Sequence, residues 1–184
     1  MTQPNEAGFQ VFPDGWLQPA SHIFSPNFDA RPAHTEPCLI VIHAISLPPG
    51  NFAGQAVIDF FTNQLDPAAH PYFSGISGRR VSAHFFIRRD GQLIQFVSCL
   101  NRAWHAGVSC WNQLDRCNDF SIGIELEGDD HCAFTDHQYA TLGILNHSLK
   151  QHFPIRATVG HADIAPARKT DPGPFFDWQQ IALA

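Results

Sequence analysis

A chain of 184 residues with 44% hydrophobic content is long enough to bury one sizeable core and too short for two comfortable domains. Its 17 acidic residues against 11 basic ones, a formal charge of -6, supply no broad basic field for a phosphate backbone, which argues against nucleic acid as a partner. Residues 1–8 lack the basic and apolar regions of a secretory signal, and no run of about 18 apolar residues suggests a membrane span, so a cytoplasmic location without membrane contact is expected.

Residues 1–37 are rich in proline and polar groups, with Trp16-Leu17 and Ile23-Phe24 as apolar anchors, and read as an irregular arm wrapped on a domain that spans 38–184. Cys38 to Ile42 is a short apolar run with β-branched residues, the pattern of a strand buried on both faces, with His43 at its C-terminal end. Ala44 to Gly54 contains Pro48-Pro49-Gly50 and reads as loop, Gln55 to Leu65 as helix, and Asp66-Pro67 as its stop. Ser82 to Arg88 and Gln92 to Val97 flank Arg89-Asp90-Gly91, where Asp-Gly signals a two-residue turn, so these form a β-hairpin.

Phe120 to Leu126 alternates as a strand, with Ile122, Ile124 and Leu126 on one face and Glu125 on the other. Thr135 followed by Gln138 has the spacing of a capping box, and Tyr139, Leu142, Leu145 and Leu149 continue at helical spacing until Pro154. A short strand at Thr158-Val159 delivers His161, a proline-rich loop carries Lys169 and Asp171, and residues 177–181 suggest a last helical turn. Strands interleaved with helices, with at least one hairpin, predict a single mixed α/β domain whose central mixed sheet is flanked by helices.

The five cysteines form no Cys-x-x-Cys pair and their number is odd, which suits reduced thiols, read as small core fillers. Most of the eleven histidines read as bystanders. His43 differs because an ionisable side chain ends a strand otherwise built for burial, and strand ends facing a crevice are where open α/β sheets bind ligands. His161 and Asp171 lie in a segment whose prolines and glycine can make a rigid turn. Two imidazoles and one carboxylate are three protein ligands, and a catalytic zinc uses three so that a fourth position stays open for water. Manganese or nickel could substitute. Glu125 and Glu127 both face one side of their strand, so spacing leaves the choice of general base open between them.

Leu39-Ile40-Val41-Ile42-His43, Pro48-Pro49-Gly50, Ser82-Ala83-His84, Ala103-Trp104-His105-Ala106-Gly107, the run from Cys117 to Glu127, and Gly160 to Pro174 together span nearly the whole chain. In this combination the chain resembles the zinc-dependent N-acetylmuramoyl-L-alanine amidases, and within them the AmpD-type enzymes acting on 1,6-anhydro-N-acetylmuramyl-L-alanine. The resemblance implies zinc as cofactor, held by His43, His161 and Asp171. It selects Glu125 as general base and makes Lys169 the cation that stabilises the oxyanion of the attacked amide. It implies Arg80 and Arg116 as partners of a stem-peptide carboxylate, for which bidentate guanidinium pairing is suited. Trp104 and His105 look like part of its substrate groove, although core packing explains Trp104 nearly as well.

One departure is visible: members of the family commonly carry Asn after the first ligand histidine, where this chain has Ala44. The expectation is a monomeric cytoplasmic amidase that cleaves small anhydro-muropeptides. Two rivals share much of the pattern, a wall-lytic amidase acting on polymeric peptidoglycan and a binding module that has lost catalysis.

Overall fold

The computed structural model describes residues 8–182. Six strands form its central sheet: β1 (Ser21–His22), β2 (Leu39–Ile45), β3 (Phe85–Ile87), β4 (Leu93–Gln95), β5 (Ser121–Glu127) and β6 (Ala157–Gly160). Across the sheet their order is β6-β2-β5-β3-β4-β1. Every neighbouring pair is parallel except the β3–β4 hairpin, so the sheet is mixed, as the alternation of strand and helix patterns predicts. The helices are α1 (Ala56–Phe61), α2 (Pro71–Ser74), α3 (Asp136–His152), α4 (His161–Ile164) and α5 (Gln179–Ala182).

Strand alternation divides the two faces of the sheet. Ile40 and Ile42 of β2 join Ile122, Ile124 and Leu126 of β5 in one apolar cluster with Leu142, Leu145 and Leu149 of α3. Leu39 and Val41 belong to a separate cluster with Ala106, Cys117 and Ile164. Each fully buried aliphatic side chain of this kind contributes roughly 1.5–3 kcal/mol. His43 has the parity of Leu39 and Val41, and Glu125 has the parity opposite to Ile124. Because β2 and β5 are parallel with Glu125 beside His43, both side chains leave the sheet on the face away from α3.

Helix α3 begins with the capping box expected from its sequence: Gln138 N–H donates to Thr135 Oγ1 at 3.2 Å, and Thr135 N–H to Gln138 Oε1 at 3.1 Å. Four expectations need correction. Strand β2 runs on to Ile45, because β5 continues to pair with it at Leu126–Ala44 and Glu127–Ile45, so His43 lies inside the strand. The apolar signal stopped at Ile42 only because the next residue is polar. Helix α1 ends at Phe61, four residues early, where Thr62 Oγ1 bonds back to Ile58 O at 2.9 Å and Asn63 adopts φ +61°. The β3–β4 turn is a three-residue loop, with Gly91 at φ +86° and Arg88 N–H donating to Gln92 O, so glycine is needed at its third position.

The fourth correction concerns residues 8–37, which are less irregular than expected. Gln10–Val11 pairs with Leu17–Gln18, Ser21–His22 extends the sheet edge, and Phe28–Ala30 pairs with Asn101–Ala103. Leu17 is a fully buried anchor, whereas Phe24 is 70% exposed and anchors little. All five cysteines are free thiols, but only Cys99 and Cys117 are buried; Cys38 and Cys132 are half-buried and Cys110 is exposed, so core filling accounts for two of them.

Candidate metal centre

Three side chains meet at the edge of the exposed crevice above β2 and β5. His43 projects from β2, His161 opens α4 directly after β6, and Asp171 comes from the loop that follows. Register explains the meeting: β6 lies beside β2 with Gly160 opposite Ile42, so the next residue along the chain in each segment is a histidine. The loop is turned back by Ala162 N–H, which donates to Asp171 O at 2.9 Å. A Cβ on Gly160 would lie 2.8 Å from Pro172 Cδ, so a larger residue would push this loop away.

The Nδ1 atoms of His43 and His161 are 2.9 Å apart, and Asp171 Oδ2 lies 3.1 Å from the first and 3.0 Å from the second. Ligands at the 2.0–2.1 Å bond lengths of a tetrahedral zinc would be separated by about 3.3 Å, close to this spacing. Both imidazoles are almost completely buried. Burial pushes His43 from 6.5 down to about 4, which keeps the ring neutral and able to act as a ligand. Burial would raise the Asp171 carboxyl, yet its close contacts with His161 and His43 outweigh it and hold the group below its ordinary range, ionised. The far nitrogens are engaged elsewhere: His161 Nε2 faces Ala106 O at 3.0 Å, and His43 Nε2 faces His105 Nδ1 at 2.9 Å. Two buried imidazoles and a carboxylate aimed at one point fit a divalent metal of the zinc type.

Contacts distinguish the two carboxylates that strand spacing left equivalent. Glu127 is used structurally: Oε1 accepts from Ala53 N–H at 2.6 Å and Oε2 from Arg89 N–H at 3.0 Å. Glu125 lines the crevice, is 8% exposed, and its buried Oε2 has no hydrogen-bond partner. Burial raises its carboxyl well above the usual range, the negative Asp171 adds to this, and Lys169 opposes it. Lys169 Nζ stands 3.9 Å from Asp171 Oδ1 and borders the same crevice.

The crevice encloses about 540 Å³ and includes His43, His105, Glu125, His161, Lys169 and Asp171 in its lining. Arg80 borders an adjoining hollow of about 240 Å³ that shares Phe60, Ile76 and Arg79 with it. Arg116 is 70% exposed and pairs through Nε with Asp119 Oδ2 at 3.2 Å. Trp104 donates its indole N–H to Asp29 Oδ1 at 3.1 Å and is not among the described residues that border the crevice. Arg79 and Tyr72, which do border it, carried no sequence signal. Tyr72 lies in a helix of only four residues, and Arg79 is one of two adjacent arginines that local pattern cannot separate. Ala44 also lines the crevice.

A family profile described as N-acetylmuramoyl-L-alanine amidase matches residues 33–174. The 1,6-anhydro-N-acetylmuramyl-L-alanine amidase AmpD of Citrobacter freundii is 54% identical over 170 residues, covering 91% of each chain. A crystal structure of a selenomethionine AmpD derivative superposes with a TM-score of 0.92 at 51% identity, covering 95% of this chain and 98% of that one. The Escherichia coli amidase AmiD, solved in complex with anhydro-N-acetylmuramic acid-L-Ala-D-γ-Glu-L-Lys, superposes with a TM-score of 0.58 at 27% identity, covering 96% of this chain and 65% of that one. With the profile matching residues 33–174 and a relative more than half identical over nine-tenths of both chains, the chain belongs to the N-acetylmuramoyl-L-alanine amidase family.

Proposed function

We propose that this protein is a zinc-dependent amidase that hydrolyses the bond between 1,6-anhydro-N-acetylmuramic acid and L-alanine in small muropeptides, within peptidoglycan recycling. The observation that carries the chemistry is the convergence of His43 Nδ1, His161 Nδ1 and Asp171 Oδ2 beside a partnerless Glu125 Oε2. The identity of the bond is supported by the AmpD relative, which matches over nine-tenths of both chains. The substrate reported for AmiD, an anhydro-muropeptide, is of the same chemical class.

In this reading His43, His161 and Asp171 hold the zinc, and Glu125 and Lys169 are catalytic. When bound, the metal would supply Lewis acidity toward the scissile carbonyl and the attacking water. Glu125 takes the proton of that water as the C–O bond forms; a carboxylate whose burial favours protonation then carries the proton to the departing L-alanine amine as the C–N bond breaks. Lys169 presents an ammonium to the negative charge that develops on the carbonyl oxygen. Arg80 and Arg116 would bind the stem-peptide carboxylates, while Trp104, its indole N–H held by Asp29, stands back from the crevice. Residues 8–37 act as an arm whose strand β1 joins the sheet of a catalytic domain that starts at residue 38, in a monomer; residues 1–7 lie outside the described residues.

A cytoplasmic site of action is supported by five free thiols, which persist in a reducing compartment, and among the described residues no helix is long and apolar enough to cross a membrane. The test is to incubate the purified protein with soluble anhydro-muropeptides and, separately, with intact sacculi, and to identify products by mass. Release of free stem peptide and anhydro-disaccharide or anhydro-muramic acid from the soluble substrate, at much the higher kcat/KM, is the expected result. Comparable release from sacculi would favour a wall-lytic enzyme, and no release from either would leave only a binding role.

A further inference from the structure

We propose that the loop His105–Ala106, clamped by Asn118, is the device that orients both histidine ligands, and that His105 is a positioning residue of the metal site rather than a group that hydrogen-bonds substrate. The inference rests on the reading of His43 and His161 as ligands.

Ser121 has one hydroxyl hydrogen, and its Oγ lies 2.6 Å from Cys117 O, a carbonyl that can only accept. That hydrogen is therefore committed, and toward His105 Nε2, at the longer distance of 3.2 Å, Ser121 Oγ can act only as acceptor. His105 must then carry its proton on Nε2, leaving Nδ1 bare. Bare Nδ1 sits 2.9 Å from His43 Nε2, which must supply the hydrogen. The lone pair of His43 is thereby left on Nδ1, the atom that faces His161 and Asp171.

The second ligand is fixed by the next residue of the same loop. Ala106 O accepts from His161 Nε2 at 3.0 Å, which puts that proton on Nε2 and the lone pair on Nδ1; the other side of Ala106 O takes Arg168 Nη2 at 2.7 Å. Two adjacent groups, one side chain and one carbonyl, thus set the same tautomer in two rings that come from separate strands. The loop is held in register by a single side chain: Asn118 Oδ1 accepts from His105 N–H at 3.1 Å and Ala106 N–H at 2.8 Å. Room for the His105 ring is made by Gly123, where a Cβ would lie 2.4 Å from His105 Cγ. Both ring nitrogens of His105 are occupied, so although it borders the crevice it has no free nitrogen for substrate.

The experiment uses the full-length zinc-loaded protein. Long-range 15N–1H spectra of the histidine rings should show His43 and His161 protonated on Nε2 and coordinated through Nδ1. Competition against a chelator should show zinc held about 10- to 100-fold more weakly in His105→Phe and in Asn118→Ala, the usual effect of losing a group that orients a ligand. His105→Gln, whose amide oxygen can accept from His43 Nε2, should recover most of the affinity, and at saturating zinc the KM of His105→Phe should stay close to wild type. Unchanged zinc affinity with a raised KM would make His105 a substrate contact and overturn the proposal, as would a proton on Nδ1 of His43. The underlying ligand assignment fails separately, if wild-type protein binds no zinc or if His43→Ala retains it.

Discussion

Glu125 and His43 are register partners across two parallel strands, so a carboxylate with a partnerless buried oxygen stands beside the imidazole of the candidate metal centre on the same face of the sheet. Two residues further on, Glu127 spends both oxygens on the backbone of other loops. The pair therefore predicts opposite phenotypes. Glu125→Ala should keep its metal and its melting temperature while turnover falls by roughly 10²- to 10⁴-fold, the share of a general base. Glu127→Ala should strand two amide donors at about 1–3 kcal/mol each and show mainly as lost stability. Thermal melts and kcat on both variants decide it, and the reverse order would exclude Glu125 as the base.

Metal content gives the second prediction. With three donors from two strands and a loop, elemental analysis should find about one zinc per chain, and either His161→Ala or Asp171→Ala should lose it. Activity that survives exhaustive chelation would remove the metal from the mechanism.

The arginines proposed to bind the stem-peptide carboxylates can be separated from the metal chemistry by substrate length. Arg116→Ala should weaken turnover of anhydro-muropeptides carrying an acidic third stem residue more than turnover of anhydro-muramyl-L-alanine, which lacks that residue. A charge-assisted hydrogen bond to the carboxylate contributes about 1.5–3 kcal/mol, which is roughly a 10- to 150-fold change in kcat/KM. Equal losses on the two substrates would assign Arg116 to folding, through its pair with Asp119.

Acid sensitivity is expected from His84. Its ring is fully buried, Nδ1 accepting from Gly123 N–H at 3.0 Å and Nε2 facing Asn101 O at 3.1 Å. Burial, reinforced by the Arg31 charge, pushes it from 6.5 down to about 3. The unfolded chain therefore binds this proton first as pH falls. The contribution to stability is whole above pH 6.5 and is lost progressively between 6.5 and about 3, at about 1.4 kcal/mol per pH unit. Urea unfolding at pH 7 and pH 5 should show a loss about 2 kcal/mol larger in wild type than in His84→Asn, whose amide does not titrate. Matching losses would place the acid sensitivity in other groups.

Local pattern by itself determined the pieces that depend on near neighbours. The capping box of α3 involves residues three apart, and the alternation of β5 put Ile122, Ile124 and Leu126 in the core with Glu125 on the other face. The buried run of β2, the turn before β4 and the short strand before His161 were legible for the same reason, and the motifs along the chain pointed to the family. Spacing erred at edges, ending β2 at Ile42 because periodicity stops at a polar residue even when sheet pairing continues. The site itself was decided in space: His43 meets His161 across 118 residues and Asp171 across 128. Spacing left Glu125 and Glu127 equivalent and only the resemblance chose between them; the physical difference lies in the amides of Ala53 and Arg89, 74 and 38 residues from Glu127. Which nitrogen of each histidine faces the centre depends on His105, Ala106 and Ser121, because a tautomer is set by whatever donor or acceptor lies about 3 Å from the far side of the ring, and only the folded sheet brings those atoms there.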